Sequence, residues 1–163
     1  MSISFIPGAD TQRAFRDALG CFATGVTIVS ARTESGPIGM TANSFTSLSL
    51  DPPLILWSPA KSSDRFTHFT EAKEFAIQVL RDDQQALAQG FARQGDLFDA
   101  RWHDNDFGVP VLSDCLCAFE CQTVAQHDAG DHVILVGQVT KAHIYSGKPL
   151  VFAKGAFGGF TAG

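Results

Sequence analysis

Basic charge is what this chain has little of. Twelve Lys and Arg stand against 17 Asp and Glu, a net charge of −5. No basic run or patch offers a surface to a phosphate backbone, so nucleic acid is not an expected partner. No apolar run approaches the length that spans a bilayer, so no membrane partner is expected either. The first eight residues lack both a basic segment and a long apolar segment, so they do not read as a secretory signal, and the cytoplasm is the expected compartment. The glycine-rich phosphate loops are missing too. No G-x-G-x-x-G follows a strand and no G-x-x-x-x-G-K-S/T occurs. Any nicotinamide nucleotide must therefore bind without a Rossmann domain. No G-x-S-x-G elbow is present to carry a serine nucleophile.

Cysteine is sparse, with Cys21, Cys115, Cys117 and Cys121. In a cytosolic chain these are expected to be reduced. The C-x-C-x3-C spacing of the last three is not that of a zinc knuckle, and no histidine lies close by. All three have odd numbers along a strand predicted over 115–125, with Phe119, and so read as small buried thiols on one face. His68, His103, His127 and His143 have no ligand-like spacing with His132, and no metal is expected. Tyrosine occurs once, against 14 phenylalanines. Phe brings large apolar area with no hydroxyl to satisfy, which suits a barrel core or a subunit interface. The 163 residues fit one domain, taken as 1–163, able to bury about 70% of the surface its unfolded form would expose.

Periodicity gives the elements. Asp10 reads as the cap of a helix over 11–23, with Phe15, Leu19 and Phe22 at helical spacing. β-Branched residues over 25–32 read as a strand, and short strands are predicted over 54–57, 74–80, 115–125, 132–145 and 150–154. Ser62 opens a short helix through Phe69, and Asp82 or Asp83 caps another through Gln89. Residues 90–110 read as irregular. Strands do not alternate with long helices, so a doubly wound parallel sheet is disfavoured and an antiparallel barrel with peripheral helices fits best.

Residues 39–53 are the most informative stretch. Thr41, Asn43, Ser44, Thr46, Ser47 and Ser49 lie between two apolar strands. By alternation Thr41, Asn43, Phe45, Ser47 and Ser49 share one face, and neither face is apolar before Leu48. Hydroxyls and amides beside main-chain N–H groups suit a flat ligand with many hydrogen-bonding edges. An exposed edge strand would have the same composition, and the residues alone leave both readings open. Ser58, Lys61, Ser62 and Ser63 follow one strand later. A helix N-terminus there could hold a phosphate, and an ordinary serine cap is the alternative. Arg93 could pair with the same phosphate or stand in solvent. His132 stands at the mouth of an apolar strand, after Gly130 and Asp131.

In order and spacing, residues 15–29, 39–54, 61–63, 91–92, 108–112, 130–132 and 149–152 together resemble the flavin reductase family, the small reductases that supply reduced flavin to two-component monooxygenases. The resemblance implies a mainly β fold, a six-stranded antiparallel Greek-key split β-barrel with short peripheral helices, paired as a homodimer with flavin near the interface. It implies that Thr41, Ala42, Asn43 and Ser44 line the isoalloxazine and ribityl chain. Ser58, Lys61, Ser62 and Ser63 would lie toward the ribityl and phosphate end, Phe91 and Ala92 would give backbone contacts, and His132 would position the nicotinamide. The expected activity is hydride transfer from NADH or NADPH to FMN or FAD, with a partner monooxygenase reached through diffusing reduced flavin. Phe157 stands where the family often has Tyr. Two other readings are a flavin-dependent ferric or corrinoid reductase and a flavin-binding protein without turnover.

Overall fold

The computed structural model describes residues 2–163. Seven strands form the main antiparallel sheet: β2 (Thr27–Thr33), β3 (Gly36–Ala42), β4 (Thr46–Leu50), β5 (Pro53–Trp57), β6 (Glu74–Val79), β9 (Cys117–Ala129) and β10 (His132–Ile144). Their order is β3-β2-β6-β9-β10-β5-β4. The edge strands β3 and β4 are consecutive in the chain, and only Asn43, Ser44 and Phe45 join them. A flat seven-stranded sheet would hold its edges about 29 Å apart, whereas the link from Ala42 to Thr46 reaches about 14 Å at most. The sheet is therefore rolled, with its edges brought together but not paired. The count is seven, where six strands were expected, because the polar stretch 39–53 is two elements. The chain leaves β3 at Ala42, and β4 pairs with β5 through a register shift between Ser47 and Ser49. That shift breaks the simple alternation read from the sequence.

β1 (Thr24–Gly25), β11 (Leu150–Ala153) and β12 (Ala156–Gly159) form a small second sheet, and β7 (Trp102–Asp104) pairs with β8 (Pro110–Leu112). The stretch expected to be irregular thus contains a hairpin. Its anchors are remote in sequence. Arg32 Nε donates to Gly108 O at 2.6 Å and its guanidinium pairs with Asp104, while Asn105 Nδ2 donates to Glu120 Oε2 at 2.9 Å.

Alternation along β2, β6 and β9 feeds two cores, one on each face of the sheet. Ile28, Ala76 and Ala118 face outward to Phe91, Val111, Leu112 and Leu150. Val29, Phe75, Ile77 and Cys121 face inward to Trp57, Phe69 and Leu135. The three cysteines do not share a face as expected. Cys115 lies before β9 and packs in the outer core, and Cys121 packs in the inner one. Burial pushes both thiols up to about 12, so they stay protonated at neutral pH.

Three short helices lie outside the sheet: α1 (Gln12–Leu19), α2 (Phe66–Glu71) and α3 (Gln85–Arg93). α1 starts from a 3-10 turn over Ala9–Thr11, so Asp10 lies inside that turn instead of capping the helix. No residue of α1 is buried. None of the helices formed by the described residues is long and apolar enough to cross a membrane.

Candidate functional site

The break between β3 and β4 is the centre of the candidate site. Thr41, at the end of β3, gives its hydroxyl to Ala88 O of α3 at 2.6 Å. The carbonyl of Ala42 accepts from Thr27 Oγ1 at 2.7 Å. Ser44 Oγ accepts from Ser58 N at 2.9 Å and lies 3.3 Å from Ser58 O. This hydroxyl ties the break to the end of β5. Asn43 is exposed, and its amide has no hydrogen-bond partner among the described residues. Three of the four residues from Thr41 to Ser44 are thus pinned to neighbouring elements, which leaves the Asn43 amide on a rigid turn.

Past β5 the chain runs along the start of β10. Ala60 bridges His132, Lys61 N donates to Asp131 O at 2.9 Å, and Val133 N donates to Pro59 O at 3.2 Å. These contacts place Lys61 beside His132. The Lys61 ammonium pairs with Asp128 and donates to Gly130 O at 2.7 Å. His132 Nδ1 lies 2.7 Å from Asp131 Oδ1, and this bond, with the charge of the imidazole, holds Asp131 below the usual carboxylate range.

Ser62 and Ser63 do not cap a helix. α2 begins at Phe66 and has six residues, with no side-chain cap. The serines instead form a turn in which Ser63 Oγ accepts from Arg65 N at 3.2 Å. Arg65 then reaches back across the molecule. Its Nη1 donates to Gly39 O at 2.9 Å and to Phe91 O at 2.7 Å, and its Nη2 donates to Ala92 O at 3.0 Å. Burial lowers the Arg65 pKa, and the charge of Asp64 partly opposes that. The predicted backbone residues Phe91 and Ala92 therefore present their carbonyls to Arg65. The Phe91 ring is buried over Gly39, where an added Cβ would stand 2.5 Å from the ring. Gly39 is thus needed for close approach of α3 to β3.

Ser62, Ser63, Asp64, Arg65, Arg93 and Gly95 line a hollow of about 430 Å³. It gathers two predicted serines with Arg93, which the sequence suggested, and Arg65, which it did not. The missed residue had one available signal, its place two residues after Ser63. Among the described residues no group of three or more His, Cys, Asp or Glu is arranged to hold a metal ion.

The chain as a whole is similar to known proteins. The flavin reductase like domain matches residues 19–161. FMN reductase (NADH) SmoA of Agrobacterium fabrum is 57% identical over 158 residues, 96% of this chain and 91% of the relative. The reductase subunit HsaB of a flavin-dependent monooxygenase of Rhodococcus jostii is 35% identical over 150 residues, covering 90% and 77%. The chain spans less than half the length of some other curated relatives. Among solved structures, the NADH:FAD oxidoreductase SgcE6 of Streptomyces globisporus, in complex with NAD and FAD fragments, superposes with a TM-score of 0.88. It is 33% identical and covers 97% of this chain and 98% of that one. The chain belongs to the flavin reductase like family.

Proposed function

We infer that this protein is an NADH-dependent flavin reductase that hands reduced flavin to a flavin-dependent monooxygenase. The observation that carries the reading is the 57% identity to an FMN reductase (NADH) over nearly the whole chain. The site agrees with it. A flavin mononucleotide is a flat ring with hydrogen-bonding edges and a phosphate tail, and the site offers polar edges at one end and two arginines at the other. When bound, the flavin supplies the hydride-accepting ring and NADH supplies the hydride.

In this reading Thr41, Ala42, Asn43 and Ser44 hold the ring end, with the Asn43 amide free to bond a ring edge. Ser58 fixes that turn through Ser44. Ser62 and Ser63 meet the ribityl and phosphate end. Lys61 ties their segment to the β9–β10 hairpin, Phe91 and Ala92 shape the wall beneath, and His132 orients the nicotinamide. Holding donor and acceptor stacked is what the protein contributes, and no acid or base of the chain is needed for the transfer.

The protein works in this reading as one domain over residues 1–163, in the cytoplasm, as a homodimer. The seven-stranded sheet rolls into a split barrel of Greek-key type. Support for pairing comes from uncovered apolar side chains. Phe15, Leu19 and Phe22 on and after α1 are exposed, as are Leu48 and Leu50 on the edge strand β4, with Leu50 97% accessible. Sedimentation at about twice 17.5 kDa is the expected result. The central test is NADH oxidation measured with and without added FMN or FAD, with ferric chelates as competitors. Turnover that needs added flavin supports the reductase. Flavin binding without NADH oxidation supports a carrier, and preferred reduction of the chelate supports a metal reductase.

A further inference from the structure

We propose that Arg65 is a positioning residue that holds the anion-binding end of the flavin site in shape, by fastening the Ser62–Ser63 turn to β3 and to the C-terminal turn of α3. This rests on the flavin reductase reading above. Three walls of the hollow come from three separate elements. The serine turn precedes α2, Arg93 ends α3, and Gly95 is backed by Gly39 of β3, whose N–H donates to Gly95 O at 2.7 Å. Arg65 touches all three. Its own N–H donates to Ser63 Oγ at 3.2 Å, and its guanidinium spans Gly39 O, Phe91 O and Ala92 O at 2.7–3.0 Å.

The fork geometry is the reason for arginine. A planar guanidinium presents five N–H groups in fixed directions, so one side chain can satisfy carbonyls of two elements together. A lysine ammonium is a single point on a flexible stem and cannot span them in the same way. The carbonyls of Phe91 and Ala92 belong to the last turn of α3, which leaves its carbonyls without partners in the helix. Arg65 serves them and places a cation at the negative end of that helix. The bonds to carbonyls use three of its five N–H groups without a carboxylate partner, and only the charge of nearby Asp64 bears on it. Arg65 and Arg93 line the hollow with Asp64 as its one carboxylate, so the lining carries net positive charge.

The ring end of the site is fastened by bonds that do not involve Arg65, Thr27 to Ala42, Thr41 to Ala88 and Ser44 to Ser58. Losing Arg65 should therefore loosen the phosphate end and spare the ring end. The experiment compares FMN with riboflavin, which has the same ring and no phosphate, by fluorescence titration of wild type, Arg65→Lys and Arg65→Gln. Steady-state assays with NADH accompany it. In both variants FMN affinity should fall at least tenfold and riboflavin affinity less than threefold. The KM for FMN should rise, with kcat at saturating FMN within about twofold.

Recovery of FMN affinity in Arg65→Lys would overturn the positioning role and leave a simple charge contact. Equal loss for FMN and riboflavin, or no loss for either, would overturn the assignment to the anion end. If Arg65→Gln does not fold, Arg65→Lys alone decides between these outcomes. A wild-type protein that binds neither flavin would sink the reductase reading itself, which separates that failure from failure of the Arg65 proposal.

Discussion

Lys61 and Arg65 stand one helical turn apart in sequence, and the fold uses their charges in opposite ways. The Lys61 ammonium meets the Asp128 carboxylate and the Gly130 carbonyl. Its charge is cancelled where it stands. The Arg65 guanidinium meets three carbonyls, which satisfy three of its N–H groups by their dipoles and bring no negative charge to it. A cation ready for an anionic ligand is therefore one whose donors are engaged by neutral groups. By this criterion the proposed phosphate end lies at Arg65 and Arg93, and the proposal gives Lys61 to the scaffold. The sequence suggests Ser58, Lys61, Ser62 and Ser63 for that end, and of these Ser62 and Ser63 line the hollow.

The strongest way to break the comparison is to spoil the wall that Arg65 fastens. Gly39→Ala would set a Cβ 2.5 Å from the buried Phe91 ring and 3.3 Å from Phe98. Phe91 is packed on every side, so β3 and α3 must separate. Overpacking of this kind costs about 1–3 kcal/mol. Urea denaturation should show that loss, and FMN binding should weaken with it because Gly39 O moves away from Arg65. Unchanged stability would mean that the wall gives freely and that its shape is not what Arg65 maintains.

Next in size are Asn43→Ala and Ser63→Ala, one at each end of the site. Loss of one hydrogen bond costs about 1 kcal/mol, or roughly fivefold in flavin affinity. The two should differ in character. Asn43 is exposed and its amide has no partner among the described residues, so its removal should weaken FMN and riboflavin alike. Ser63 accepts from Arg65 N at the hollow, so its removal should weaken FMN more than riboflavin. Isothermal titration with both ligands measures the difference, and identical profiles for the two variants would erase the distinction between the ends.

His132→Ala probes the third corner. Its imidazole is oriented by Asp131 and partly exposed beside Lys61. If it orients the nicotinamide, the KM for NADH should rise severalfold, the equivalent of about 1 kcal/mol, with FMN affinity within twofold of wild type. Stopped-flow reduction of bound flavin by NADH gives the answer, and an unchanged rate and NADH dependence would leave His132 only its contact with Asp131.

Much of this layout was legible in the sequence, for identifiable reasons. β-Branched residues placed β2, and the long apolar pattern placed β9 and β10. The hydroxyls of Thr41 and Ser44 bond Ala88 O and Ser58 N, and Ser62 and Ser63 line the hollow beside Arg65 and Arg93. What was not legible depends on contacts between distant residues. A serine hydroxyl accepts from a turn N–H as readily as from a helix N–H, so Ser62 and Ser63 suggested a helix that starts only at Phe66. Alternation cannot reveal a break at Asn43 or a bulge after Ser47, and the strand count came out one short. The β7–β8 hairpin is held by Arg32 and Glu120, far off in the chain. The role of Arg65 was hidden for the same reason, since its carbonyl partners lie 26 and 27 residues away.

The smallest expected effect is the sharpest test of the comparison. Lys61 is conspicuous in sequence as a lone cation beside two serines, and a phosphate contact there would make Lys61→Ala costly to FMN binding. The structure directs its ammonium to Asp128 and Gly130, with the side chain 38% accessible. An exposed pair of this kind contributes about 0–1 kcal/mol to stability. The segment itself is held by main-chain bonds, Lys61 N to Asp131 O and Val133 N to Pro59 O, which the substitution leaves intact. Lys61→Ala should therefore change FMN affinity less than twofold and lower stability by about 0.5 kcal/mol or less, an effect that shrinks further at 0.5 M salt as screening weakens the pair. Salt should meanwhile weaken FMN binding similarly in wild type and variant, because the proposal assigns the positive charge of the phosphate end to the hollow lined by Arg65 and Arg93 and not to Lys61. A tenfold loss of FMN affinity in Lys61→Ala, with riboflavin unaffected, would move the anion site to the β9–β10 corner and reverse the roles assigned to the two cations.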